Sequence, residues 1–331
     1  GQHGQAIEHL ECARQIAEPI EDPGALLYIY TYLAGAYQHF ADFQQSLRWS
    51  QRGMQFGEQR YLLTLISAGH EYHAENFNFM GHWENALEHA RKDHEIGEKT
   101  GLLDRVAWGG LSIMWACHGL GRLREAMEAG QQTLGMAEVS GDSRLAVLAG
   151  AELARVFADL GDLQSAQPAA ELASQRATDL NQAYMICEGL GALAYQHARR
   201  HEWQAALECR RRIAEAAEGT DNRLIPMING PGLAEAHLEL GQLEQASESL
   251  ATALQTARES GSPIPEAQAL RVRARIHAAQ GEWDQALADF SRAIELCEQW
   301  NGRLLLAQIL LNWGQLQAEH EGSQPARKSL E

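Results

Sequence analysis

Residues 81–90 read GHWENALEHA and residues 281–290 read GEWDQALADF, two near-copies two hundred positions apart. Starts of the same kind fall at 121 (GRLREAMEAG), 161 (GDLQSAQPAA) and 241 (GQLEQASESL), with a weaker one at 201 (HEWQAALECR). All are separated by multiples of 40. A fixed period in this range is the signature of a repeat architecture, in which each unit is one supersecondary element that needs neighbours to cover its apolar face.

Aligned on that period, the first column reads Gly1, Ala41, Gly81, Gly121, Gly161, His201, Gly241, Gly281, Glu321. Two places on it reads His3, Phe43, Trp83, Leu123, Leu163, Trp203, Leu243, Trp283, Ser323, and five places on Ala6, Ser46, Ala86, Ala126, Ala166, Ala206, Ala246, Ala286, Ala326. Glycine in the first column suits the left-handed residue that ends one helix. The large apolar residue anchors the next helix, and Ala three residues later lies on the same face, small enough for close helix contact. A second set of breaks lies half a unit away, at Asp22-Pro23-Gly24, Thr100-Gly101, Ser140-Gly141-Asp142, Asp179 to Asn181, Gly219 to Asn222, Ser260 to Pro263 and Asn301-Gly302. Their capping residues divide each unit into two helices of roughly 16 to 18 residues, A before the glycine column and B after it. No segment reads as a strand. Pro226 and the run Asn229-Gly230-Pro231-Gly232 are expected to kink the A helix of the sixth unit or to shorten it to about 232–240, and Pro168 to bend a B helix.

The glycine, large apolar, alanine start resembles the tetratricopeptide repeat. So do Tyr37, Phe77 and Phe157 four residues before the first column, and Ala34, Ala74, Ala154, Ala194, Ala234, Ala274 and Gly314 three before those. That motif has 34 residues in its common form, so a 40-residue unit is closer to the long variety of LGN-like polarity scaffolds, kinesin light chain and the sensor domain of MalT-like bacterial regulators. The resemblance spans essentially the whole chain. It implies an all-α, right-handed α-α superhelix with A helices on the concave face and B helices outside. The expected pairs are about 22–58, 62–99, 102–139, 142–178, 182–218, 222–259 and 262–299, seven in all, with partial repeats at 1–18 and 302–331. Residues 1–331 read as a single solenoid domain and, from the missing initial Met and an end inside a helix, as a fragment of a longer protein.

A single core of 331 residues exceeds the usual limit for one domain, which a repeat array escapes. A net charge of -17 is opposite to the basic footprint of a nucleic-acid binder. There is no long apolar run for a membrane span. Five scattered cysteines without a CxxC pair argue against a disulfide framework or zinc ribbon, and fit a reducing cytoplasm. His70-Glu71-Tyr72-His73 is the most metal-like run, but its histidines are spaced i, i+3 rather than i, i+4, and no metal or cofactor is expected. GEKTGL at 97–102 lacks the ending of a phosphate loop. No carboxylate pair or nucleophile stands in a setting that suggests catalysis, so the chain reads as a non-enzyme.

Function is therefore sought in the concave stripe of A helices, spaced i, i+4, i+7, i+11, i+14. That stripe holds Glu71 and Glu75 as an acidic entrance, then Trp108, Trp115 and His118, then Arg144 and Arg155, then Tyr195, and finally Arg271 and Arg275. Trp, Tyr and Arg are the side chains that most often dominate binding energy. Two readings stand side by side for Trp108 and Trp115: they line the groove, or they pack between helices brought close by Gly109-Gly110. Arg271 and Arg275 read either as a carboxylate clamp or as a solvated face. The leading expectation is a module binding a protein or peptide segment in the groove, in the interaction or sensor region of a multidomain signalling or transcription regulator. Self-association through the exposed ends is a further expectation. The alternative is a sensor of a small-molecule effector on the aromatic surface. Nucleic acid and membrane are not expected partners.

Overall fold

The computed structural model describes the backbone of residues 2–328 and the side chains of residues 2–320; the last members of the repeat columns, Glu321, Ser323 and Ala326, lie outside these side chains. Every element among the described residues is an α-helix. A lone helix α1 (His3–Ile20) precedes seven antiparallel pairs: α2 (Pro23–His39) with α3 (Phe43–Arg60), α4 (Leu63–Met80) with α5 (Trp83–Thr100), α6 (Leu103–Gly119) with α7 (Leu123–Ser140), and α8 (Ser143–Asp159) with α9 (Leu163–Leu180). Then come α10 (Ala183–Arg199) with α11 (Trp203–Ala217), α12 (Leu224–Glu239) with α13 (Leu243–Glu259), and α14 (Pro263–Gln280) with α15 (Trp283–Gln299). A long α16 (Arg303–Lys328) closes the chain. Each helix packs on its chain neighbours, and even-numbered helices also pack on the next even-numbered one, which gives an α-α superhelix.

The local reasons follow the columns. At each A-to-B turn one residue is left-handed: Gly81, Gly121, Gly161, Gly241 and Gly281 adopt it, and Ala41 and His201 adopt it with a Cβ present. At the first of these glycines, the Gly81 N–H donates to Asn78 O (3.1 Å) and the His82 N–H to Phe77 O (2.8 Å), so the helix end is satisfied by a Schellman turn. Asp22 and Asp142 cap α2 and α8 by accepting from the second and third backbone N–H groups beyond them. The alanines of the sixth column from Ala86 to Ala286 are buried, as are Ala34, Ala74, Ala154, Ala194, Ala234 and Ala274.

Two expectations are corrected. α12 is not shortened: it starts at Leu224, so Pro226 occupies a first-turn position whose N–H has no helical partner in any case. Pro231 does fall inside the helix, and the neighbouring Gly230 lets α13 approach closely, since a Cβ there would lie 2.6 Å from that of Ala253. α16 does not break at position 321 into a further pair but continues as one helix. Glu321 stands there in place of the column glycine.

Contacts also reach across the superhelical turn, beyond adjacent hairpins. The Asp221 carboxylate, in the loop before α12, accepts from the backbone N–H groups of His3 and Gly4, both at 2.7 Å. The Arg223 N–H donates to His39 O at 3.0 Å. His82 stacks on Trp300 with ring centroids 3.9 Å apart, and Ile264 sits directly on Gly81. One apolar cluster joins Phe43 and Met80 to Leu224, Met227 and Ala257. The array therefore completes a turn and rests on itself.

This contact separates two glycines that otherwise play the same part. Gly81 and Gly241 are both left-handed, but a Cβ on Gly81 would fall 2.3 Å from Ile264, whereas nothing lies within 4 Å of Gly241. Gly241→Ala is expected to cost about 1 kcal/mol, the left-handed backbone alone. Gly81→Ala is expected to cost a further 1–3 kcal/mol or so from overpacking at the seam, measured by urea denaturation. Equal losses in the two variants would mean that the turns do not touch.

Candidate functional site

Closure of the turn converts the concave face into a channel of two adjoining cavities that share Phe79 and Trp115. Even-numbered helices, the A series, supply nearly all of the lining, because their inner faces converge while the odd-numbered helices pack outside them.

The first cavity, about 590 Å³, is bounded by Tyr28, Tyr32 and Gln38 of α2, by Glu71, Tyr72 and Glu75 of α4, by Arg105, Trp108 and Trp115 of α6, and by Arg144 of α8. Glu71 is paired with Arg105. Glu75 accepts from Gln38 Nε2 at 3.1 Å. Burial, followed by the charge of Glu71 one turn away, pushes the Glu75 carboxyl up to about 8, so the expected acidic entrance is largely protonated at neutral pH on this residue. The Arg144 guanidinium lies over the Trp108 ring, 5.8 Å from its centroid. The two readings of the tryptophans divide between them: Trp108 is half-buried and faces the cavity, while Trp115 is built into the largest apolar cluster and shows only its edge. Gly109 and Gly110 serve close packing behind them, where a Cβ would fall 2.8 Å from His94 N and 2.5 Å from Thr133 Oγ1.

The second cavity, about 410 Å³, has an apolar side of Trp83, Met227, Ile264, Leu304 and Leu305 and a charged side built across four helices. His118 donates from Nδ1 to Glu152 (2.5 Å) and from Nε2 to Asp159 (2.9 Å). Arg155 donates to Glu152 (2.9 Å), to the Glu188 carboxylate (3.0 Å) and to the Glu188 carbonyl (3.2 Å). The Tyr195 hydroxyl donates to Asp159 at 2.5 Å. Burial alone would depress His118, but the carboxylates of Glu152 and Asp159 outweigh it and raise the imidazole to about 9. The converse holds for Glu152, where His118 and Arg155 overcome burial and lower the carboxyl to about 2. Burial raises the Tyr195 phenol well above its usual range, so it stays a donor.

Eight of the ten sequence-derived residues thus line the channel: Glu71, Glu75, Trp108 and Arg144 in the first cavity, His118, Arg155 and Tyr195 in the second, and Trp115 in both. Arg271 and Arg275 do not line it. Arg271 grips Glu235 with two bonds of 2.9 Å and reaches Asn312 at 2.8 Å, while Arg275 binds Glu235 at 2.6 Å and also pairs with Glu239. Their Nη groups engage Glu235, Glu239 and Asn312, and Glu235 is lowered to about 2 because the two arginines outweigh its burial. Both arginines are therefore paired within the chain.

Sequence reasoning missed Glu152, Asp159 and Arg210. The first two sit one position beyond the stripe that was counted, and Arg210 comes from an outer helix, α11, so no inner-face periodicity could point to it. The metal-like histidines meet differently from their sequence spacing: His70 and His89 approach Nδ1 to Nδ1 at 2.9 Å, with His73 stacked on His89. Among the described residues no group of His, Cys, Asp and Glu is placed to hold a metal ion, and no helix is long and apolar enough to cross a membrane.

Residues 265–331 match the tetratricopeptide repeat family model. The match covers α14 to α16, the last part of the array. No curated protein matches the sequence. Among solved structures, the helical array is similar to a Rap protein complexed with competence and sporulation factor, at 14% identity and a TM-score of 0.63, covering 95% of this chain and 96% of that one. It is similar to the Rap conjugation gene regulator of plasmid pLS20 in complex with a peptide, at 12% identity and 0.60, covering 86% and 77%. It also resembles NprR in complex with its cognate peptide NprX, at 14% identity and 0.55, covering 80% and 76%. At these identities the likeness is one of fold.

The His118 network makes a pH-dependent contribution. Its folded pKa of about 9 lies above an unfolded value of about 6.5, so the stabilisation is complete below pH 6.5 and is lost as pH rises through 9. Wild type is expected to exceed His118→Gln by about 2–3 kcal/mol at pH 6 in urea denaturation, with the gap closing by pH 9.5. A gap that does not change over this range would refute the ionised imidazole.

Proposed function

We propose that residues 1–331 act as a single solenoid receptor whose concave channel holds a short peptide segment, as the interaction or sensor region of a signalling or transcription regulator. The observation that carries this reading is the channel itself. Its two cavities each fall in the range of about 300–1,000 Å³ typical of ligand sites, and they combine apolar walls with a few fixed polar groups. A channel closed by contact between successive turns suits a short extended chain rather than a folded domain. The NprR and pLS20 Rap structures, both in complex with peptides, supply support at the level of analogy, since fold alone does not carry function.

In this reading Trp108, Tyr195 and the edge of Trp115 offer aromatic surface, and Arg144, Glu71 and Glu75 polar contacts. The His118, Glu152, Arg155 group keeps the inner helices in place. Arg271 and Arg275 support the far end and touch no ligand. The role is binding and not catalysis: every strongly shifted group in the second cavity other than Arg210 is locked in an ion pair or hydrogen bond with the chain's own side chains. Four of the five cysteines are buried and all five are free, which favours the cytoplasm.

A second reading, a small-molecule effector on the aromatic surface, draws on the first cavity, where Tyr28, Tyr32 and Trp108 offer rings for stacking. Thermal-shift screening with a short-peptide library and a metabolite library separates the two. Peptide hits are expected to raise the Tm, and Trp108→Ala is expected to keep the fold and weaken their binding about tenfold or more, as measured by calorimetry. Stabilisation by metabolites without any peptide hit would turn the assignment to the second reading, and unchanged peptide affinity in the variant would remove Trp108 from the site.

A further inference from the structure

One cation in the second cavity stands apart from the network around it. Arg210 leaves α11, on the outer layer, and passes inward between α10 and α12 to reach the cavity wall. The passage exists because two inner-face residues have no side chain. A Cβ at Gly232 would lie 2.6 Å from the Arg210 Cζ, and one at Gly191 would lie 3.7 Å from its Nη1 and 3.2 Å from the Nη2 of Arg155. Asn229 holds the arginine at both ends, donating from Nδ2 to the Arg210 carbonyl (3.1 Å) and accepting from Nη1 at Oδ1 (3.3 Å).

The other cations of the cavity are matched. His118 is shared by Glu152 and Asp159, and Arg155 by Glu152 and Glu188. Among the described residues, Arg210 makes no ion pair at all. A neutral amide oxygen occupies one of its five donors. Burial depresses its pKa, with Arg155 acting in the same direction and Cys187, Cys209 and Glu235 opposing at longer range. This half-buried guanidinium lines the cavity without a carboxylate of the chain's own, and a ligand anion there would complete its pairing.

We propose that Arg210 is the anion subsite of the channel and binds a carboxylate of the peptide ligand, with the apolar wall of Trp83, Ile264 and Leu305 taking the side chain next to it. This rests on the peptide-binding reading above. The carboxylate comes either from the C-terminus or from an Asp or Glu side chain, and both present the same planar pair of oxygens to the guanidinium fork.

The test uses the full chain immobilised and exposed to a random hexapeptide library as free acids and, separately, to the same library as C-terminal amides, with retained peptides read by mass spectrometry. Wild type is expected to enrich carboxylate-bearing peptides about ten- to a hundredfold over neutral ones, the range of a charge-assisted hydrogen bond. Loss of retention on amidation would assign the C-terminus, and enrichment of Asp or Glu in both libraries would assign a side chain. Arg210→Gln is expected to abolish the preference, and Arg210→Lys to restore part of it. Gly232→Ala keeps the arginine but displaces its guanidinium, and is expected to act like Arg210→Gln, which covers the case in which the latter does not fold. Equal carboxylate enrichment by wild type and the displaced or neutral variants would overturn the subsite while leaving peptide binding intact. Retention of no peptide from either library by wild type would overturn the peptide reading, and this inference with it.

Discussion

No helix pair in this chain can cover its own apolar face, and that constraint organises everything else. Each hairpin presents one surface to the hairpin before it and one to the hairpin after it, so stability accumulates by stacking and the array grows along one axis. Buried alanines at the contact positions, with glycines at Gly109, Gly110 and Gly230, bring the helices close enough for the stack to curve tightly. Tight curvature in turn brings the sixth and seventh pairs back to the first and second. There Phe43 and Met80 meet Leu224 and Met227, and Ile264 meets Gly81.

Closure is what makes a site. An open solenoid presents a shallow trough, whereas one whose turns touch has an interior with a partly excluded solvent. Charges placed there are costly unless paired, and the ladder from Tyr195 through Asp159, His118 and Glu152 to Arg155 and Glu188 pairs all but Arg210 across α6, α8 and α10. Such a network couples three successive repeats and specifies their register, because removing one partner strands the rest. Arg271, Arg275 and Glu235 repeat the device between α12 and α14.

Much of this was legible in advance because the repeat period is a property of short-range spacing. The helices, their pairing and eight channel-lining residues all follow from counting on a 40-residue frame and applying helical periodicity. The failures are equally physical. Counting one stripe per helix assumes an infinitely narrow inner face, and Glu152 and Asp159 lie just outside that line while still pointing inward. Arg210 belongs to an outer helix, and only the missing side chains of Gly191 and Gly232 admit it. Proline rules placed a break in α12, yet Pro226 falls where the helix has no bond to lose.

The sequence by itself determined the elements, their antiparallel pairing and the face each inner helix turns toward the axis, since these depend on residues within one or two repeats. It could not determine that the superhelix meets itself, that Arg271 and Arg275 pair with internal carboxylates, or that Arg210 reaches the cavity without a carboxylate partner. Those outcomes depend on small rotations added over successive repeats, and on which side chains then come within a few ångströms across roughly two hundred residues of chain, as Asp221 does with His3 and His82 with Trp300.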